Sequence, residues 1–432
     1  MRQLIASFCS LLLLAVPVFA EPAAAGALPP EVAPLPADLA KRILELVATA
    51  EKYRGLAAKA PVPAGVIEEA ALRSQVAAEV RKELPPEELR AVEAGLEAFG
   101  LIPQGLDLER YYPELLLSQV VGYYDPERKY LSVVHREGSL LGPAGGNIGE
   151  EEKLEEMVLV HELTHALQDQ HFDLRSFIEP DLLSDAATAR LALVEGDAAV
   201  TMFEFYLGMP VTSIPGAAEA LSSLAGSSGE LMEASPDLPG ARELAGAPAW
   251  LRDMLLFSYL EGYSFCVSVR QKGGQVLLDR AFRDDPPRSS EQVLHPEKWH
   301  TLRDDPVAIA MPSLSGRLPG FRKVSEGELG EVGIRILLRE AGKDADRAKI
   351  ADIAAAGWGG DRFAVYEKDG RRVLAWVTEW DTEADARELL AAAKALGRDW
   401  RAELTGPLRV VILRGARARE AAALRPLLAE VK

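Results

Sequence analysis

His161-Glu162-Leu163-Thr164-His165 lies within a run, Glu151 to Gln170, that contains neither Pro nor Gly. Leu159, Leu163 and Leu167 recur at four-residue spacing, and Glu151, Glu152, Glu155 and Glu156 crowd the first turn, where the helix dipole favours negative charge. The run is expected to form one helix, buried along one side. Histidines four apart stack on one helix face, so both can offer a ring nitrogen to one Zn²⁺, leaving room for a third protein ligand and a water. Glu162 then falls beside the metal and not on it. Zinc lowers the pKa of its water to about 7, and a neighbouring carboxylate can take the proton as a carbonyl is attacked and pass it to the leaving amine. The alternative is a chance match on a solvated helix. Met157-Val158-Leu159-Val160 before the motif and Ala166-Leu167 after it argue for a core helix. Burying two imidazoles and a carboxylate without partners costs several kcal/mol, a penalty that a metal offsets.

Two residues compete to be the third ligand. His171 completes H-E-x-x-H-x-x-x-x-x-H, the spacing of the metzincins, but Gln168 stands where that pattern needs a glycine to leave the helix in a left-handed conformation. Glu195 lies in Leu193-Val194-Glu195-Gly196-Asp197-Ala198, on a second helical pattern from about Ser184 to Leu207. A glutamate from a helix downstream of H-E-x-x-H resembles the gluzincins, the thermolysin-like branch of the zincins. The longer string His161 to Leu174, followed by Leu193 to Ala198, is similar to a group of exported, largely uncharacterised bacterial predicted metallopeptidases. Glu195 is the preferred ligand because Gln168 violates the backbone requirement of the other pattern. Asp169, Asp185 and Asp197 are candidates to hold the ligand histidines, or are ordinary capping and solvated carboxylates.

Residues 1–20 read as a secretory signal peptide: Arg2, an apolar run from Leu4 to Val18, and Val18-Phe19-Ala20 as the cleavage site. The apolar run is too short to span a membrane, so no stable span is expected after cleavage. The mature protein is expected to be exported, periplasmic or secreted. Losing the signal removes Cys9 and Arg2, which leaves Cys266 as the sole thiol and a formal charge of −18 − 1 = −19. No internal disulfide is possible, and this acidity argues against nucleic-acid binding.

Residues 21–37, rich in Ala and Pro, read as a tether. A catalytic domain is expected over 38–326. Helical patterns at Asp38 to Ala58, Ala64 to Leu84 and Glu87 to Phe99 are read as a layer packed on its core. Val120 to Tyr124 and Lys129 to Val134, flanking Asp125-Pro126-Glu127-Arg128, predict a β-hairpin. The zincin resemblance implies that an edge strand there holds an extended peptide by backbone hydrogen bonds. Gly138 to Gly149 is read as a loop at the cleft mouth and Gly208 to Pro248 as an excursion, either over the cleft or solvated. Ala249 to Gln271 predicts an apolar helix. From residue 327 to 432 helices alternate with a hairpin at Phe363 to Glu379, an α+β accessory module without a cluster of His, Cys or paired acids.

The expected fold class is α+β: a mostly helical zincin-like domain with a small antiparallel sheet, followed by the C-terminal module. The expected function is an exported zinc metallopeptidase acting on a peptide or protein substrate, with His161, His165 and Glu195 on Zn²⁺ and Glu162 as general base. Zincins commonly add a side-chain donor for the tetrahedral oxyanion from beyond the third ligand. His295, in a loop before Pro296, is the first candidate, with Tyr259 and Tyr263 as alternatives. Two other classes compete, an inactive zincin-like binding protein and a zinc hydrolase of a non-peptide amide.

Overall fold

The computed structural model describes residues 28–118, 122–135, 150–219, 241–341 and 345–431. The expected signal peptide, most of the tether, Val120-Val121 and the loop from Gly138 to Gly149 lie outside them, as does the middle of the Gly208 to Pro248 stretch. The architecture is α+β and mostly helical, with a small sheet ahead of the histidine helix and a second sheet at the C-terminus.

Two segments differ from the sequence reading. Val32–Pro34, assigned to the tether, is strand β1, and Ala64–Glu68, assigned to a helix, is strand β2. They pair antiparallel, Val32 opposite Ile67. Only glycine fits at residue 65, because a Cβ there would stand 2.4 Å from Val32 and 2.6 Å from the Ala33 carbonyl. The predicted hairpin forms as β3 (Gly122–Asp125) and β4 (Tyr130–His135), and β2 joins β4 in parallel, giving the order β1-β2-β4-β3. The small sheet is thus mixed, and β3 lies at its edge.

Helix α1 (Ala37–Arg54) brings Leu39, Ile43 and Leu46 into one core with Leu131 and Val133 of β4, α2 (Glu69–Glu83) packs on β2 and β4, α3 (Pro86–Phe99) packs on the second sheet, and α4 (Leu108–Leu117) packs on α2. The histidine helix is α5 (Glu150–Phe172). It packs on α6 (Asp185–Leu207), which in turn packs along the first part of α7 (Ala249–Arg283), a long helix broken by non-helical backbone at Gly273 and Gly274. At the α6/α7 crossing, Gly196 faces Gly262: a Cβ on Gly196 would lie 2.1 Å from the Gly262 carbonyl carbon, and one on Gly262 would lie 2.1 Å from the Ala192 oxygen. The two backbones therefore touch with no side chain between them.

The second sheet runs β5-β6-β7-β9-β8 and is wholly antiparallel. Its strands are β5 (Arg322–Gly327), β6 (Trp358–Lys368), β7 (Arg371–Trp380), β8 (Trp400–Leu404) and β9 (Arg409–Arg414). The first of them starts ahead of residue 327. Both faces are covered, which explains the near-continuous apolar runs in β7 and β9. Phe363, Val365, Leu374, Trp376 and Ile412 join the main core, while Ala364, Tyr366, Val373, Val377 and Val411 pack with Leu314, Leu318 and the last helix. Phe99 of α3 meets Phe363 and Trp376 edge-on at 5.0 and 5.1 Å, so the module shares a core with the helical part. The buried Asp361 carboxylate accepts from the Leu329 and Gly330 amides and from the Trp358 and Trp376 indoles, at 2.8–3.1 Å. Lys298 bridges Glu291, Asp304 and Asp381 at 2.5–3.0 Å, a second link between the two parts.

Candidate metal centre

The α5 register puts His161 and His165 on the face that meets α6, and α6 brings Glu195 to them. His161 Nε2 and His165 Nε2 are 3.0 Å apart, and Glu195 Oε2 is 3.2 Å from the first and 3.4 Å from the second. All three residues are at most 5% exposed. A tetrahedral zinc site with bonds of about 2.0–2.1 Å places neighbouring ligand atoms about 3.3–3.4 Å apart, so this triangle has the size such an ion needs. The second oxygen of Glu195 is buried and has no hydrogen-bond partner among the described residues, as expected of a group whose complement lies outside the polypeptide.

Burial lowers the His161 pKa. Burial also opposes charge on His165, but the Glu195 carboxylate more than offsets it and raises that imidazole to about 9. Glu195 shows the converse: burial works against its charge, yet His165 and His161 hold it below the usual carboxylate range.

Glu162 is fully buried beside the triangle. Its Oε2 accepts from the Tyr124 amide of β3 at 2.8 Å, and its Oε1 has no partner among the described residues. Burial raises its pKa to about 8. The edge strand expected to carry an extended peptide is therefore joined directly to the expected general base. Asp169 does not reach either histidine. It accepts from the Tyr124 hydroxyl at 2.7 Å and from Lys129 Nζ at 2.8 Å, fastening the hairpin to α5.

His165 Nδ1 donates to Gln168 Oε1 at 2.8 Å, and Gln168 Nε2 donates to Asp197 Oδ2 at 2.8 Å and to the Val194 carbonyl at 3.1 Å. The residue that argued against His171 from the sequence thus has a positive role. His171 itself turns outward, its Nε2 donating to the Ala57 carbonyl at 2.7 Å, and is not part of the triangle.

The structure does not bring His295 to the centre. His295 Nε2 contacts Glu331 Oε1 at 3.1 Å, and the short helix before it is tied by the Ser290 amide to Asp185 at 2.9 Å. Asp185 opens α6 ten residues before Glu195, about 15 Å along the helix axis. The loop that carries His295 packs against the first turn of α6, so neither Asp185 nor His295 serves the ligands. Of the two tyrosines, Tyr263 packs on Phe203 with ring centres 5.2 Å apart, whereas the Tyr259 ring lies 5.9 Å from that of His161. Tyr259 sits at the centre because it is one turn before the Gly262 contact that presses α7 onto α6. A stretch of apolar sequence gives no sign of which tyrosine faces the histidines.

Two other groups of acids come close enough together to hold a cation among the described residues. In one, Glu127 is already paired with Lys82 and Arg175 at 3.1 and 3.2 Å. In the other, the Lys298 ammonium occupies the space between Glu291, Asp304 and Asp381.

The model of a domain of unknown function (DUF8575) matches residues 317–425. This is the sheet module, and the metal centre lies outside the match. Neither a curated protein nor a solved structure matches the chain.

Proposed function

We propose that this chain is an exported zinc metallopeptidase that hydrolyses peptide bonds, with His161, His165 and Glu195 holding the metal and Glu162 acting as general base. The observation that carries this reading is the convergence of three ligand atoms within 3.4 Å of one another beside a buried carboxylate. A zinc ion bound there would supply Lewis acidity and an acidified water. Glu162 would take the proton from the attacking water and pass it to the leaving amine, and its raised pKa before metal binding reflects burial. The bond from the Tyr124 amide fixes Glu162 relative to β3, the edge strand that would hold the substrate backbone in an extended form.

The oxyanion donor is reassigned from His295 to Tyr259, the tyrosine whose ring stands beside His161. Its phenol would donate a hydrogen bond to the developing negative charge, with the proton remaining on the phenol oxygen.

The test is metal analysis of the purified mature protein together with digestion of an unbiased peptide library by wild type and Glu162→Gln. Stoichiometric zinc with cleavage that vanishes in the variant is expected. Zinc without cleavage would instead support a binding scaffold, and absence of zinc would refute the reading.

A further inference from the structure

We infer that Arg54, at the end of α1 and 143 residues from its partner Asp197, is a positioning residue for the metal centre. It acts through Asp197 and Gln168 on His165, and the inference rests on the reading of that centre as a zinc site.

Gln168 is fully buried, so its amide orientation is decided by its neighbours. Both groups facing its nitrogen, Asp197 Oδ2 and the Val194 carbonyl, can only accept. The amide must therefore turn its NH₂ toward α6 and its oxygen toward His165. That oxygen requires a proton on His165 Nδ1 and leaves Nε2 as the atom available to a metal, next to Glu195 and His161. The ligand nitrogen is thus selected by Asp197, as long as its carboxylate stays turned toward Gln168.

Arg54 maintains that condition. Its side chain is fully buried, with Nε 2.5 Å from Asp197 Oδ2 and an amino nitrogen 2.8 Å from Asp279 of α7. Without the guanidinium, a carboxylate in so dry a place would have no counter-charge and would turn away from Gln168 toward other donors or water. The amide would then be free to reverse and present NH₂ to His165, a donor facing a donor. The guanidinium prevents this by compensating the charge with a geometry that lysine cannot copy. Helix α1 is thereby more than a packing layer, since it supplies the outermost member of the chain Arg54-Asp197-Gln168-His165.

Zinc affinity of the purified full-length protein, measured by competition with a chelator, is the first readout. The visible spectrum of the Co²⁺-substituted protein is the second. Gln168→Met keeps the buried volume and removes the hydrogen bonds. It should weaken zinc binding about 10-fold to 100-fold and shift the Co²⁺ bands. Arg54→Met should do the same, and Arg54→Met combined with Asp197→Asn should recover most of the affinity, because a neutral side-chain amide at that position can still accept from Gln168 through its oxygen. A merely structural ion pair would also regain stability in the double variant, so the deciding readout is the Co²⁺ spectrum, which a structural role alone would leave unshifted. Should Arg54→Met fail to fold, Gln168→Met and Arg54→Lys decide, the latter expected between wild type and Gln168→Met. Wild-type affinity and spectrum in Gln168→Met, or no recovery in a folded double variant, would overturn the inference while leaving the zinc site intact. Wild-type protein that binds no zinc would instead overturn the reading on which it rests.

Discussion

The third ligand offers the sharpest test, because Glu195 and His171 were both eligible and the structure separates them. Glu195→Ala removes one corner of a triangle whose sides are 3.0, 3.2 and 3.4 Å. Four-ligand structural zinc sites bind with about 10–16 kcal/mol, so each ligand contributes about 3–4 kcal/mol. At about 1.4 kcal/mol per decade, Glu195→Ala should weaken zinc binding by roughly two to three orders of magnitude. The fold should tolerate the change when metal is absent, since the variant also removes a buried carboxylate with an unpartnered oxygen. His171 is bonded to the Ala57 carbonyl in a half-exposed position, so His171→Ala should leave zinc affinity within a few-fold and cost about 1 kcal/mol of stability. Chelator competition at fixed pH, with urea unfolding of both metal-free variants, measures all four quantities. Equal losses of affinity in the two variants, or a larger loss in His171→Ala, would refute the assignment.

Glu162→Gln should retain zinc and lower turnover by about 10²-fold to 10⁴-fold, as read by kcat on any cleaved library peptide with metal content measured in parallel. Tyr259→Phe should lower kcat by about 10²-fold to 10³-fold with KM little changed, and His295→Ala should leave both unchanged; the opposite result would restore His295 as the donor. Glu79 provides a pH test away from the centre. Burial, followed by the nearby Asp125, raises its pKa to about 7 from 4.5, so its contribution to stability is present below about pH 4.5 and is lost as pH rises through about 7. Glu79→Gln should therefore unfold like wild type at pH 4.5 and be more stable by about 1–2 kcal/mol at pH 8, and a variant less stable at pH 8 would reverse the sign. Asp361→Asn puts an NH₂ among four N–H donors and should destabilise the chain by about 2–4 kcal/mol in thermal or urea unfolding.

The α5 helix, the hairpin, α6 and the apolar start of α7 were legible because each carries its signal locally: period-four leucines, a turn between β-rich runs, and uninterrupted apolar stretches. The place of Glu195 beside the two histidines was anticipated on a chemical argument, since Gln168 lacks the backbone freedom of the glycine in the His171 pattern. Strand β2 was not legible. Ala64-Gly65-Val66-Ile67-Glu68 runs into α2 without a breaker, and what makes it a strand is its pairing with β4 more than sixty residues later. Helix α4 is masked by Pro113 within it, and β8 by the arginine and glutamate in Trp400-Arg401-Ala402-Glu403-Leu404. His295 was misplaced because a loop's sequence does not encode its direction. Arg54 gave no sign of its role, since an arginine at a helix end more often faces solvent.

The glycine contact between α6 and α7 has a consequence for the tyrosine that stands beside the histidines. Tyr259 is three residues before Gly262, so the thickness of this crossing sets how closely its ring approaches His161. A methyl group at either glycine has no space within 2.1 Å of opposing backbone and would push the helices apart. Tyr259 would be drawn back with α7, while His161, His165 and Glu195, which lie on α5 and α6, would keep their spacing. The reach of the tyrosine is thus set at two positions that carry no side chain.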